Sequence, residues 1–164
     1  MPNFHGYFRA TLAAVGPHRG GGADRWRESL SATAPGTPLA AALEGSIAAS
    51  LTPVDEAGAE GLRWTRGLLR ASAEDPALRA VWYRVNQESE ERLRDVLAVL
   101  AGPDADPLEV RLAAAAATDA IRIALESWAE SDAPVDGPGS PAALALRCLR
   151  ELMGGVALWS PGPS

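Results

Sequence analysis

The sequence predicts an all-helical fold, and three observations carry that prediction. First, five positions set a capping side chain directly before a proline: Thr37-Pro38, Thr52-Pro53, Asp75-Pro76, Asp106-Pro107 and Ser140-Pro141. The cap oxygen accepts one of the unpaired N–H groups of a first helical turn. Proline at the first helical position costs nothing, because its missing N–H had no partner there. Second, no segment alternates apolar and polar residues with a period of two, and the valines fall inside helical patterns, so strands are not expected. Third, residues 108–128 wind into a helix whose apolar surface is too wide for a single core contact.

The caps and the apolar spacing place helices at about 38–51, 53–73, 76–101, 107–130 and 141–158. Asp106 and Glu109 have capping-box spacing, and Thr52 and Asp55 have a weaker version of it. The third helix sets Leu78, Val81, Trp82, Val85, Ser89, Leu93, Val96, Leu97 and Leu100 on its inner face, a near-heptad stripe with one polar step. Its outer face carries Arg79, Arg84, Glu88, Glu91, Arg92 and Asp95, a solvated surface whose i,i+4 pairs contribute only tenths of a kcal/mol each. The last helix sets Leu144, Cys148, Leu149, Leu152, Met153 and Val156 on another wide apolar arc, and Gly154-Gly155 is expected to loosen its end.

The fourth helix is the most informative. At about 100° per residue, Arg111, Thr118, Asp119, Arg122 and Glu126 gather on one polar stripe. Leu108, Leu112 and Ile123 form one bulky apolar edge, and Val110, Ile121, Leu125 and Trp128 form the other. Between the edges runs a strip of Ala113, Ala116, Ala117, Ala120, Ala124 and Ser127, where another helix can approach closely. Two readings fit: a central helix of a monomeric bundle, or a helix shared with a second subunit.

Composition sets the bounds. A chain of 164 residues supports one core of ordinary size. Hydrophobic residues at 47% against 22% charged is a globular balance. No apolar run reaches the length of a membrane span, so no membrane association is expected, and no secretory signal opens the chain. Cys148 is the only cysteine, which excludes an internal disulfide and makes the cytoplasm the expected compartment. Residues 1–36 hold four Arg against two acids, a balance of +2, while the rest of the chain holds 11 Arg against 19 acids, a balance of −8. An acidic helical body repels phosphate, so only the N-terminal stretch has a sign suited to nucleic acid. The expected organisation is an N-terminal region and flexible connector over 1–36, a helical domain over 37–159 and a tail over 160–164.

No constellation supports catalysis, and no cofactor is implied. His5 and His18 lack the spacing of metal ligands, Gly20-Gly21-Gly22 lacks the Lys-Ser/Thr that completes a phosphate loop, and no Ser occupies a nucleophile elbow. Cys148 reads as a packed thiol within an apolar arc. More informative are the polar residues that interrupt apolar faces. Asn86 and Ser89 break the inner face of the third helix beyond Trp82, and Asp119 borders the Leu112/Ile123 edge of the fourth. Buried polar groups require partners. Either they pair within the core boundary, or they line a small-molecule cavity with Trp64, Trp82 and Tyr83.

Several of these segments stand in a familiar order. Arg63-Trp64-Thr65-Arg66-Gly67-Leu68-Leu69 runs to Asp75-Pro76-Ala77-Leu78-Arg79-Ala80, and an acidic helix follows. Then come Arg111-Leu112-Ala113-Ala114-Ala115 and Ala124-Leu125-Glu126-Ser127-Trp128. This order resembles the C-terminal domain of TetR-type transcriptional regulators. Asn3-Phe4-His5-Gly6-Tyr7-Phe8 resembles the end of that family's DNA-recognition helix, although the Lys that usually opens the following helix is absent. Only Met1 and Pro2 precede this run, so the resemblance implies a regulator body largely without its helix-turn-helix, with His5 and Tyr7 as a DNA-binding remnant.

The resemblance implies a TetR-like helical bundle whose last two long helices pair with their copies in a second subunit as a four-helix interface. Ala116, Ala120, Ala124, Trp128, Leu144, Cys148 and Leu152 are the expected contributors to this homodimer. The preceding helices would enclose a hydrophobic small-molecule effector, lined by Trp64, Leu68, Trp82, Tyr83, Asn86, Ser89, Asp119 and Ile123. Effector binding would then control DNA binding where a helix-turn-helix is supplied. The alternative is an interaction protein, deficient in DNA binding, that heterodimerises with full-length relatives.

Overall fold

A computed structural model describes residues 39–158, and all of its regular structure is α-helical. The helices are α1 (Leu39–Leu51), α2 (Glu56–Glu74), α3 (Pro76–Ala101), α4 (Pro107–Ala129) and α5 (Pro141–Leu158). The start of the first helix at Pro38, the 1–36 region with His5 and Tyr7, and the 160–164 tail lie outside the described residues.

Three of the caps read from sequence form as expected. Asp75 Oδ1 accepts from the N–H groups of Ala77 and Leu78 at 2.9 and 3.3 Å, with Pro76 opening α3. Asp106 Oδ1 accepts from Leu108 N–H at 2.9 Å, and Ser140 Oγ accepts from Ala143 N–H at 3.2 Å. The start of α2 differs from expectation. Thr52 does not cap it; its hydroxyl donates back to Ala48 O at 2.7 Å and so belongs to the end of α1. Asp55 takes over as the cap, accepting from Gly58 N–H at 2.8 Å, and α2 begins at Glu56. Two competing oxygens three residues apart explain the shift: a hydroxyl can be spent on its own preceding turn, whereas a carboxylate can only accept. At its C-terminal end α5 is helical through Gly154 and Gly155 to Leu158.

The helices pair in a simple scheme. α2 packs on α3, α1 packs on α5, and α4 packs on all four others. Leu43, Ile47 and Leu51 of α1 recur every fourth residue and are buried, as are Trp82, Val85, Leu93, Val96 and Leu97 of α3. Each such side chain contributes about 1.5–3 kcal/mol on leaving water. On α4, Ala113, Ala114, Ala117, Ala120 and Ala124 are buried with Leu125 and Trp128. The alanine strip therefore receives neighbours from within the same chain. Small side chains let helix axes come close, and a helix touched by four others needs that thin profile.

Candidate functional site

The seam between α3 and α4 holds a connected polar chain within an otherwise apolar core. Trp82 is buried, and its Nε1–H donates to Glu126 Oε1 at 2.7 Å. The other carboxylate oxygen of Glu126 accepts from Arg122 Nη1 at 3.1 Å. Arg122 also donates through Nε and Nη2 to Asp119 Oδ1 at 3.2 and 3.1 Å. Partial burial disfavours the Arg122 guanidinium charge. Hydrogen bonds and attraction from Asp119 and Glu126 outweigh that cost and hold its pKa above the ordinary arginine value. The result is a line of fixed charge running from solvent at Asp119 to the buried indole of Trp82.

Asn86 and Ser89 lie on the same face of α3 as Trp82, and each bonds back to the preceding turn. Asn86 Nδ2 donates to Trp82 O at 2.8 Å, and Ser89 Oγ donates to Val85 O at 2.7 Å. Back-bonding to the preceding turn is one way a hydroxyl or amide meets its hydrogen-bonding needs on a half-buried helix face. Leu68 of α2 packs against the core.

The structure does not bring the eight expected effector-site residues into one enclosure. Trp64 is 58% exposed and Tyr83 51%, because each points away from the buried stripe of its helix. Ile123 shares the outward face of α4, where Leu108 and Leu112 are 62% and 55% exposed. Trp82 and Asp119 are joined along the α3–α4 seam through Glu126 and Arg122, and Asn86 and Ser89 share Trp82's face of α3. Sequence reasoning placed Arg122 and Glu126 on the polar stripe of the fourth helix but gave them no role at the site. The available signal was the i, i+3, i+7 spacing of Asp119, Arg122 and Glu126, opposite a buried indole that needs an acceptor.

The expected dimer contributors also divide. Ala120, Ala124 and Trp128 are fully covered within one chain and have no surface left for a second subunit. Their apolar character is used up by α4's central position. Ala116, Leu144 and Cys148 are partly buried at the rim of the core, and Leu152 is 39% exposed. On α4, Leu108, Leu112, Ala116 and Ile123 fall within about a quarter of the circumference. On α5, Leu144, Cys148 and Leu152 recur every fourth residue along one stripe. Burial raises the Cys148 thiol pKa above its ordinary value; Arg147 opposes that shift and Glu151 adds to it.

Among the described residues, no group of three or more His, Cys, Asp or Glu side chains is placed to hold a metal ion. No described helix is long and apolar enough to cross a membrane. No protein-family model matches the chain, and neither does any curated protein.

Proposed function

We propose that this chain is the effector-binding, self-associating body of a TetR-like transcriptional regulator. The observation that carries the reading is the apolar outward face of α4 and α5. Leu108, Leu112 and Leu152 remain exposed there beside the half-buried Ala116, Ile123, Leu144 and Cys148, while the rest of α4's exposed surface is largely polar, with Glu109, Arg111, Asp119 and Ser127. Exposed leucines on two helices that pack on one another are the material of an interaction surface. A second copy presenting the same face would bury them in a two-fold, isologous contact. The expected pairing thus moves outward from the alanine strip to the Leu112–Leu152 face.

The α3–α4 seam supports the effector half of the proposal. Trp82, Asn86, Ser89 and the Arg122–Glu126 pair set polar groups beside apolar core, and an effector entering between these helices would exchange for bonds they already make to one another and to their own backbone. The effector class is a hydrophobic small molecule, and no catalytic step is assigned. DNA contact falls to a helix-turn-helix N-terminal to the bundle, in a cytoplasmic protein. The same face also fits a subunit that pairs with full-length relatives and weakens their DNA binding.

Sedimentation velocity at micromolar concentration tests the reading, with a dimer expected. A folded single subunit throughout that range overturns self-association. A thermal-shift screen against apolar small molecules tests the effector half, and the absence of any stabilising compound counts against it.

A further inference from the structure

The carbonyl groups that end α4 and open the turn after it are held by α2. Arg70 Nε donates to Ala129 O at 2.7 Å, and its Nη2 donates to Ser131 O at 2.9 Å and to Asp132 Oδ1 at 3.1 Å. One helical turn earlier, the guanidinium of Arg66 lies 3.7 Å from the centroid of the Trp128 ring, and its Nη2 donates to Ala133 O. Trp128 closes the cluster, its Nε1–H shared between Ala133 O at 3.0 Å and Pro134 O at 3.1 Å. Two arginines on α2 thus grip the last turn of α4, its terminal indole, and the first residues, 131–133, of the connection toward α5.

This contact is not ordinary surface glue. Nε of Arg66 is the one buried side-chain nitrogen or oxygen among the described residues without a hydrogen-bond partner. Burial and the neighbouring charge of Arg70 lower the Arg66 pKa, and Asp132 only partly opposes them. The closed arrangement gains stacking and carbonyl bonds but leaves one N–H dry. An open arrangement would return that N–H, and the carbonyl oxygens, to water. Two arrangements with opposing gains are what a releasable contact requires.

We infer that Arg66 and Arg70 form a releasable joint through which the α2–α3 pair sets the position of the α4–α5 turn. The joint stands on the contacts above. Its regulatory use rests on the proposed effector and self-association reading: a ligand that shifts α2 or α3 would alter the outward face of α4–α5 through this joint, and association at that face would be felt at α2 in return.

Hydrogen–deuterium exchange and sedimentation on the full chain test the inference. In the Arg66→Met/Arg70→Met variant, amides of residues 129–136 are expected to exchange about tenfold faster than in the parent, with the α1 segment unchanged. Arg70→Met alone, which removes only the more exposed arm, keeps the test valid if the double variant does not fold; it should give a smaller rise in the same segment. Exchange within twofold of the parent in whichever of these variants folds overturns the joint. Sedimentation equilibrium supplies a readout that a purely local contact would not move. Self-association is expected to weaken about tenfold in the variant although neither arginine lies on α4 or α5. Unchanged association overturns the transmission. If the parent itself never associates, the self-association reading fails, and the exchange data still decide the joint.

Discussion

The indole Nε1–H of Trp82 donates to Oε1 of Glu126 at 2.7 Å and fastens α3 to α4 across an apolar core. A hydrogen bond to a charged acceptor in such a place contributes about 1.5–3 kcal/mol. Trp82→Phe removes the donor, leaves part of the ring's volume empty and strands a carboxylate oxygen. Its unfolding free energy is expected to fall by at least about 2 kcal/mol in urea titrations. Glu126→Gln is the contrasting case. Its amide oxygen still accepts from Trp82, while its NH2 faces the Arg122 guanidinium donor to donor; Arg122 is partly exposed and keeps Asp119, so it can turn aside and the expected cost is within about 1 kcal/mol. Equal losses in the two variants would show that the indole bond is not the dominant contact.

The covered alanines of α4 give a second prediction. Ala124 has no exposed surface and belongs to the buried alanine strip of α4. Ala124→Leu forces three extra carbons into a filled space, and overpacking of this kind costs about 1–3 kcal/mol. Thermal unfolding should show a clearly lowered midpoint at every protein concentration. A variant that folds normally but fails to self-associate would instead return Ala124 to the subunit interface.

Helix starts were the most legible part of the chain, because cap chemistry is local. Asp75, Asp106 and Ser140 each need only the next three residues to act, and each acts as expected. Thr52 failed because a hydroxyl can serve either neighbouring helix, and only the completed end of α1 decides which. The division of α4 into covered and outward faces was not legible either. The alanine strip and the Leu108/Leu112 edge are equally apolar, and which of them meets α5 depends on the whole bundle. The Asp119–Arg122–Glu126 line was visible only as a polar stripe, since its meaning comes from Trp82 on another helix. Periodicity reports that a face is apolar, or polar; it does not report what faces it.

Leu112 is 55% exposed on the outward face of α4, so its replacement separates folding from association. Leu112→Glu is expected to leave unfolding of the single subunit within about 0.5 kcal/mol of the parent. At a two-fold contact it would place two like charges near one another in a desolvated patch, weakening self-association about tenfold or more. Sedimentation equilibrium measures the second effect and urea titration at low concentration the first. Association that survives Leu112→Glu and Leu152→Glu alike would move the contact to another surface.

Cys148 offers a probe of the same face without a substitution. Burial holds its thiol pKa up, so less thiolate is present near pH 8 than for a solvent cysteine, and thiolate is the reacting species. Alkylation by iodoacetamide is therefore expected to run several-fold slower in the folded chain than in urea, with the rate still climbing as pH rises past the ordinary thiol range. Covering by a second subunit would slow the reaction further, so the folded-state rate should fall as protein concentration increases at fixed pH and excess reagent. A rate independent of concentration across the range where sedimentation detects a dimer would place Cys148 outside the contact, and would confine the self-association face to α4.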